Sequence, residues 1–202
     1  MVHFARGAKR GGVKTSGAFS KAAILGVILA LTIDLVVQNS TDASTLVLVN
    51  GWAALLVAGL LILRARGWRF RETWNNPLLW ILHVGQGWLI VAFTARGVAT
   101  LTGWIPPSSA FHAMGAGAMA TMILAFMTRA PLGHTGRPLR ASRATTLAYL
   151  LVIAAGAARV LSPLLAGSLQ LSGFVVAGGL MAAAYAIYVV EYFPVLTRPA
   201  VR

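Results

Sequence analysis

Six apolar runs, set between connections that alternate in charge, constrain this chain more than any other feature. The runs fall at 22–37, 45–63, 77–96, 107–128, 144–166 and 169–196. Each is close to the ~20 residues that an α-helix needs to cross a hydrocarbon core, the first being the shortest. A barrel would show alternating segments of about ten residues instead, so helices are the spanning element. The connections supply the topology. Residues 1–21 hold Arg6, Lys9, Arg10, Lys14 and Lys21, and 64–76 hold Arg64, Arg66, Arg69 and Arg71. Residues 129–143 hold Arg129, Arg137, Arg140 and Arg143, and the C-terminus holds Arg198 and Arg202. Between these lie 38–44, which has only Asp42, then 96–106, with Arg96 at its edge, and the uncharged 164–168. Lys and Arg collect on the cytoplasmic side, so the alternation predicts an all-α, six-helix membrane bundle with both termini in the cytoplasm. The expected organisation is a basic tail, 1–21, and a membrane domain, 22–198.

Composition excludes other classes. With 58% hydrophobic and 10% charged residues the chain is too apolar for a soluble domain of this length. The net charge of +13 does not indicate nucleic acid, because the basic residues cap apolar runs rather than forming a binding face. A basic segment before an apolar run also describes a signal peptide. No small-x-small cleavage site closes the first run, which contains Asp34, so it reads as a retained helix. There is no cysteine, which removes disulfides, thiolate metal sites and a Cys nucleophile. The sequence carries no P-loop, dinucleotide fingerprint, HExxH or nucleophile elbow.

Ionisable groups inside membrane helices are candidates for function. At ~1.5 Å per residue, Asp34, His112 and Arg159 fall in the outer half, and His83 lies about 10 Å in from the cytoplasmic side. Arg129, His134 and Glu191 also fall on that side, with Tyr149 and Tyr192 in reach. His83 and His112 are thus separated by roughly 12–15 Å along the normal, too far for one ion to bridge. His112, Met119 and Phe126 recur every seven residues and share a face if the helix is regular. A His with Met neighbours suits copper or an axial haem position, but such stripes also serve as packing. Asp34 and Arg159 read as a structural ion pair or, with His112, as a proton or anion relay in a small transporter or channel subunit. A cofactor-free structural subunit is the third reading.

The run 112–138 is the most distinctive. Ala113, Gly115, Ala116, Gly117 and Ala120 permit close helix approach. Gly133 and Gly136 permit positive φ around His134 and Thr135.

From Pro77 onward the sequence resembles the NnrS family of haem- and copper-containing membrane proteins linked to the nitric-oxide response of bacteria. The resemblance is carried by Pro77-Leu-Leu-Trp-Ile-Leu-His83-Val-Gly85-Gln-Gly-Trp88, by His112 through Met122, by Met127-Thr-Arg129 with Leu132-Gly-His-Thr-Gly-Arg-Pro138, by Ala148-Tyr-Leu-Leu-Val with Arg159, and by Tyr192-Phe-Pro194 to Pro199. Gln86 stands where the family more often has Tyr. The family is typically twice this length, and the chain resembles its C-terminal half. The resemblance implies haem or copper held by His83, His112 and His134; Met119, from its spacing to His112, is a further candidate metal ligand. It implies Arg129 and Arg137 as partners of haem propionates. It also implies an inner-membrane location, a small ligand such as nitric oxide, and a homodimer or second membrane subunit.

The absence of native cysteine makes the topology directly testable. A membrane-impermeant maleimide applied to intact cells is expected to label Ser40→Cys and Thr102→Cys. Asn75→Cys and Arg140→Cys should label only after lysis.

Overall fold

A computed structural model describes residues 21–22, 24–29, 32–33, 44–68 and 70–200. Its elements are α1 (Ser44–Arg66), α2 (Phe70–Thr73), α3 (Pro77–Thr102), α4 (Pro107–His112), a π-helical segment (Ala113–Met119), α5 (Ala120–His134), α6 (Arg143–Leu161) and α7 (Gly167–Thr197). A single 3₁₀ turn, Ser162–Leu164, ends α6. Helix α4, the π segment and α5 form one continuous rod. Five helical stretches among the described residues are long and apolar enough to cross a bilayer: Leu46–Arg66, Pro77–Thr102, Pro107–His134, Arg143–Leu164 and Gly167–Thr197. The expected first helix, 22–37, lies largely outside the described residues. Those described within it are helical, and Gly26 lies against Val57 and Leu60 of α1.

Helix ends follow local chemistry. Asn76 caps α3 by accepting from the Leu78 N–H at 3.1 Å, with Pro77 in the first turn, where its missing N–H costs nothing. The helix runs to Thr102, six residues beyond the expected end at Arg96, and closes at Gly103, φ 69°. Arg96 therefore lies inside a helix rather than at a loop edge. Its guanidinium donates to Asn50 Oδ1 of α1 at 3.1 Å. Ser142 caps α6, accepting from the Thr145 N–H at 3.0 Å. The rod ends at His134, not at 128, and contains Pro131. Gly133 is helical, contrary to expectation, and only Gly136 takes a positive φ in this turn, 68°.

Packing depends on close approach at small residues, as lipid supplies little hydrophobic drive between helices. A Cβ on Gly97 would lie 2.6 Å from Leu55 and 3.0 Å from the Gly51 carbonyl, so α1 and α3 meet backbone to backbone there. On the other side of α3, the Trp88 indole lies over Gly117 of the π segment, where a Cβ would come within 2.6 Å of the ring. Gly156 of α6 fits against the same spot, its Cβ position 3.1 Å from Gly117 Cα. Of the expected small-residue contact, Ala113 and Gly117 are buried and Gly115 is open.

The larger core joins α3, α5, α6 and α7 through Leu78, Ile81, Leu82, Leu124, Val152 and Ala184. Within it lies a hydroxyl cluster. Thr128 of α5 hydrogen-bonds the phenol of Tyr149 on α6 while donating back to the Leu124 carbonyl. Tyr192 of α7 sets its hydroxyl against Thr128 and Thr145 and stacks on Tyr188 at 5.0 Å. All of these are buried, so three helices share one polar weld.

Two substitutions should separate contact from propensity. Gly117→Val is expected to lower the thermal unfolding midpoint in detergent well below that of Gly115→Val, whose added atoms meet nothing. Tyr149→Phe should cost about 1 kcal/mol, the worth of a buried hydrogen bond within a membrane bundle, measured by reversible unfolding.

Candidate functional site

The fold does not gather the three expected histidines. Each has its own surroundings. His83 lies on α3 under the short helix α2 and the turn before it. Its ring contacts Trp68, with centroids 5.3 Å apart, and Phe70 edge-on at 5.2 Å. Its Nε2 is 2.9 Å from Thr73 Oγ1. The Thr73 hydroxyl has one proton, and it also lies 2.9 Å from the Phe70 carbonyl, which can only accept. Thr73 therefore accepts from His83 Nε2–H, and Nδ1 is left with the ring's lone pair. The interfacial turn thus fixes the tautomer of a membrane histidine.

His83 also lines a cavity of about 310 Å³ with Ala65, Trp68, Phe70, Gln86 and Ile90. Its walls are almost entirely apolar. Gln86, only 5% exposed, has a carboxamide Nε2 with no hydrogen-bond partner among the described residues. The Arg64 guanidinium sits 5.5 Å over the Trp68 ring, and its buried Nε likewise lacks a partner among the described residues.

His112 lies at the opposite end of the bundle. Its ring meets Phe174 of α7 edge-on at 5.8 Å, and the Arg159 guanidinium lies over the same phenyl ring at 4.4 Å. The expected pairing of Arg159 with Asp34 involves a residue outside the described ones. His134, at the exposed end of α5, shares a surface groove of about 360 Å³ with Phe126, Arg129 and Leu139. Arg137 is not in that groove. Its two terminal nitrogens reach the carbonyls of Val195 at 3.3 Å and Pro199 at 3.4 Å, at the end of α7, where a cation meets the helix's free carbonyls.

The expected face of His112, Met119 and Phe126 is altered by the π segment. Each i→i+5 turn inserts a residue, which rotates everything beyond it by about 100° relative to an α-helix. Met119 is 57% exposed and Phe126 54% exposed, on the outside of the bundle. Met122 instead turns inward and fills the space over Gly85, two residues beyond His83. Met114 lines a cavity of about 280 Å³ with Asn50, Arg96 and Phe111. Arg64 and Arg96 were read only as charges of the connections, where a loop position hid them, and Gln86 only as a departure from the family's usual Tyr.

Among the described residues, no three His, Asp or Glu side chains converge as a metal-ion site. A copper ion held by the protein alone needs two or three such donors. A haem iron takes four ligands from its macrocycle and needs a single protein donor. One tautomer-fixed imidazole beside an apolar cavity fits the second requirement and not the first.

An all-helical bundle with five apolar spans among the described residues defines a polytopic membrane protein. The sequence matches the NnrS protein family over residues 1–200, and the chain belongs to that family. The match reaches across the segment before Pro77, where none of the quoted motifs lies. No curated protein and no solved structure matches the chain.

The surroundings of the three histidines predict an order of modification by diethyl pyrocarbonate, read by mass spectrometry. Exposed His134 should react first and His83 last. Thr73→Val, which removes the hydroxyl partner, is expected to bring the reaction at His83 forward while leaving His134 unchanged.

Proposed function

We propose that this NnrS protein resides in the bacterial inner membrane with both termini in the cytoplasm, holds a haem at His83, and takes part in the relief of nitric-oxide stress. The observation that supports this most is the His83 environment: a single imidazole with its tautomer set by Thr73, lining an apolar cavity of about 310 Å³. A haem there would supply an iron able to bind a neutral diatomic such as nitric oxide.

The chain's own residues do the rest. His83 Nδ1 is the donor. Thr73 holds the ring's orientation by accepting from Nε2–H, the outer contact that steadies metal-binding histidines. Trp68 and Phe70 pack against the imidazole. Arg129, in the groove it shares with His134, and Arg137, at the end of α7, supply positive charge for acidic groups on the cytoplasmic face. The basic connections 64–76 and 129–143 support the orientation. Helix α7 is the least enclosed span, and its outer face, including Leu171, Val175, Val176 and Val190, meets lipid or, in an assembly, a second copy or another membrane subunit.

A second reading rests on the other end of the bundle. Arg159 and His112 converge on Phe174, and with Asp34 they would form a proton or anion relay. Uptake into liposomes that depends on Arg159 and not on His83 would favour it.

The haem reading is tested by pyridine-haemochrome content and visible spectra of detergent-purified variants. His83→Gly is expected to lose most of its haem and its Soret band, with recovery on adding free imidazole. His112→Ala and His134→Ala should keep wild-type haem content. Full retention in His83→Gly would contradict the proposal.

A further inference from the structure

The groove at the end of α5 shares no lining residue with the His83 cavity, so it is a separate place for a ligand. Arg129 and His134 line it, and both can donate to an anion. None of its lining residues is acidic, and Phe126, Ala130 and Leu139 supply apolar wall. Gly133 also lines it, and a Cβ added there would meet nothing within 4 Å. That glycine is helical and has no positive φ, so neither packing nor a turn calls for it. What it leaves is open space in the groove. Two terminal carbonyls of α5 are met without the groove's cations: Pro131 by the N–H and hydroxyl of Thr135, and Leu132 by the Arg137 N–H. An apolar stripe leads away from the groove. Ile123 and Phe126 are exposed, and Ala130 and Gly133 follow them at helical spacing on the same face. From Gly133 to Ile123 the stripe runs about 15 Å along the helix, half of a ~30 Å hydrocarbon core.

We propose that this groove seats the phosphate of an anionic phospholipid, with an acyl chain lying along Phe126 and Ile123. Arg129 is the principal donor to the phosphate, and His134 is the second. A cationic groove at the head of an apolar stripe one leaflet long fits a lipid. A soluble anion would use the groove and leave the stripe without a role. Basic pockets at the cytoplasmic side of membrane bundles hold anionic head groups by this combination of charge and apolar contact. The proposal names the acidic group assigned above to Arg129, and rests on that reading of the cytoplasmic end, not on a haem at His83. The orientation of the chain decides which leaflet supplies the lipid, and the groove's chemistry is the same in either.

The test is native mass spectrometry of the full-length protein released from detergent, with dioleoyl phosphatidylglycerol or dioleoyl phosphatidylcholine added and the first bound lipid counted. The wild type is expected to prefer phosphatidylglycerol by about five-fold or more, the scale of one basic side chain beside an anionic head group. Gly133→Leu fills the groove and Arg129→Gln removes its charge, and each should bring the two lipids within about two-fold. A Cβ at 133 meets nothing and leucine favours the helix over glycine, so the thermal unfolding midpoint of Gly133→Leu should be unchanged or higher. That variant decides the matter if Arg129→Gln folds poorly. Arg66→Gln, at the exposed end of α1, should keep the wild-type preference. Inorganic phosphate at the lipid's concentration should not displace it. A preference that survives in Gly133→Leu, or one that falls equally in Arg66→Gln, overturns the site. Displacement by inorganic phosphate overturns the lipid and assigns the groove to a soluble anion. Labelling of Arg140→Cys reports the orientation separately, and His83→Gly should lose haem while keeping the lipid preference, so failure of either earlier reading is seen apart from failure of this one.

Discussion

The indole of Trp88 resting on Gly117 and Gly156 is the contact on which the arrangement depends. Three chain segments meet at that spot: α3, the π segment and α6. No side chain larger than hydrogen fits at either glycine without displacing the ring or the backbone. In a bilayer the helices gain little by hiding apolar surface from each other, so shape at such crossings decides which faces meet. Trp88 lies on the same helix as His83. Fixing the rotation of α3 about its axis therefore fixes where the imidazole sits. Gly97 against Gly51 does the same from the other side of the helix.

Two further devices complete the frame. The hydroxyl cluster of Thr128, Tyr149, Thr145 and Tyr192 binds α5, α6 and α7 through groups that would be costly to leave unpaired in an apolar core. The interfacial segment of Trp68, Phe70 and Thr73 then closes over His83 from the cytoplasmic end predicted by the charge pattern. The result is an imidazole that is oriented, partly buried and next to an apolar space. Each property comes from a different element, and each element is placed by packing rather than by charge.

Much of this was legible in the residues. The apolar runs from 45 onward match the five described spans because hydrocarbon thickness sets their length, and the helix start at Pro77 fits as well. The string from Met127 to Pro138 carried the family, which the match over 1–200 bears out. The ends of helices were less legible. Arg96 looked like a loop residue because a charge inside a span is unexpected, yet Asn50 on the neighbouring helix receives it. The face of Met119 was misjudged for a geometric reason. The periodicity argument assumes i→i+4 bonding, and the π segment at Ala113–Met119 breaks that assumption without any residue type that announces it. The separation of His83 from His112 was read from depth, while the surroundings of each ring were not. Depth along the normal can be counted from sequence, but direction around the helix axis depends on contacts such as Trp88 on Gly117.

The central claim is that His83 is the protein's donor to a haem iron. The most direct measurement is an experimental density map of the purified protein in lipid nanodiscs. The account predicts planar macrocycle density joined to the His83 ring, bounded by Trp68, Phe70 and Gln86. A macrocycle joined instead to His112 or His134, with Trp68 and Phe70 packed on a bare His83, would contradict it.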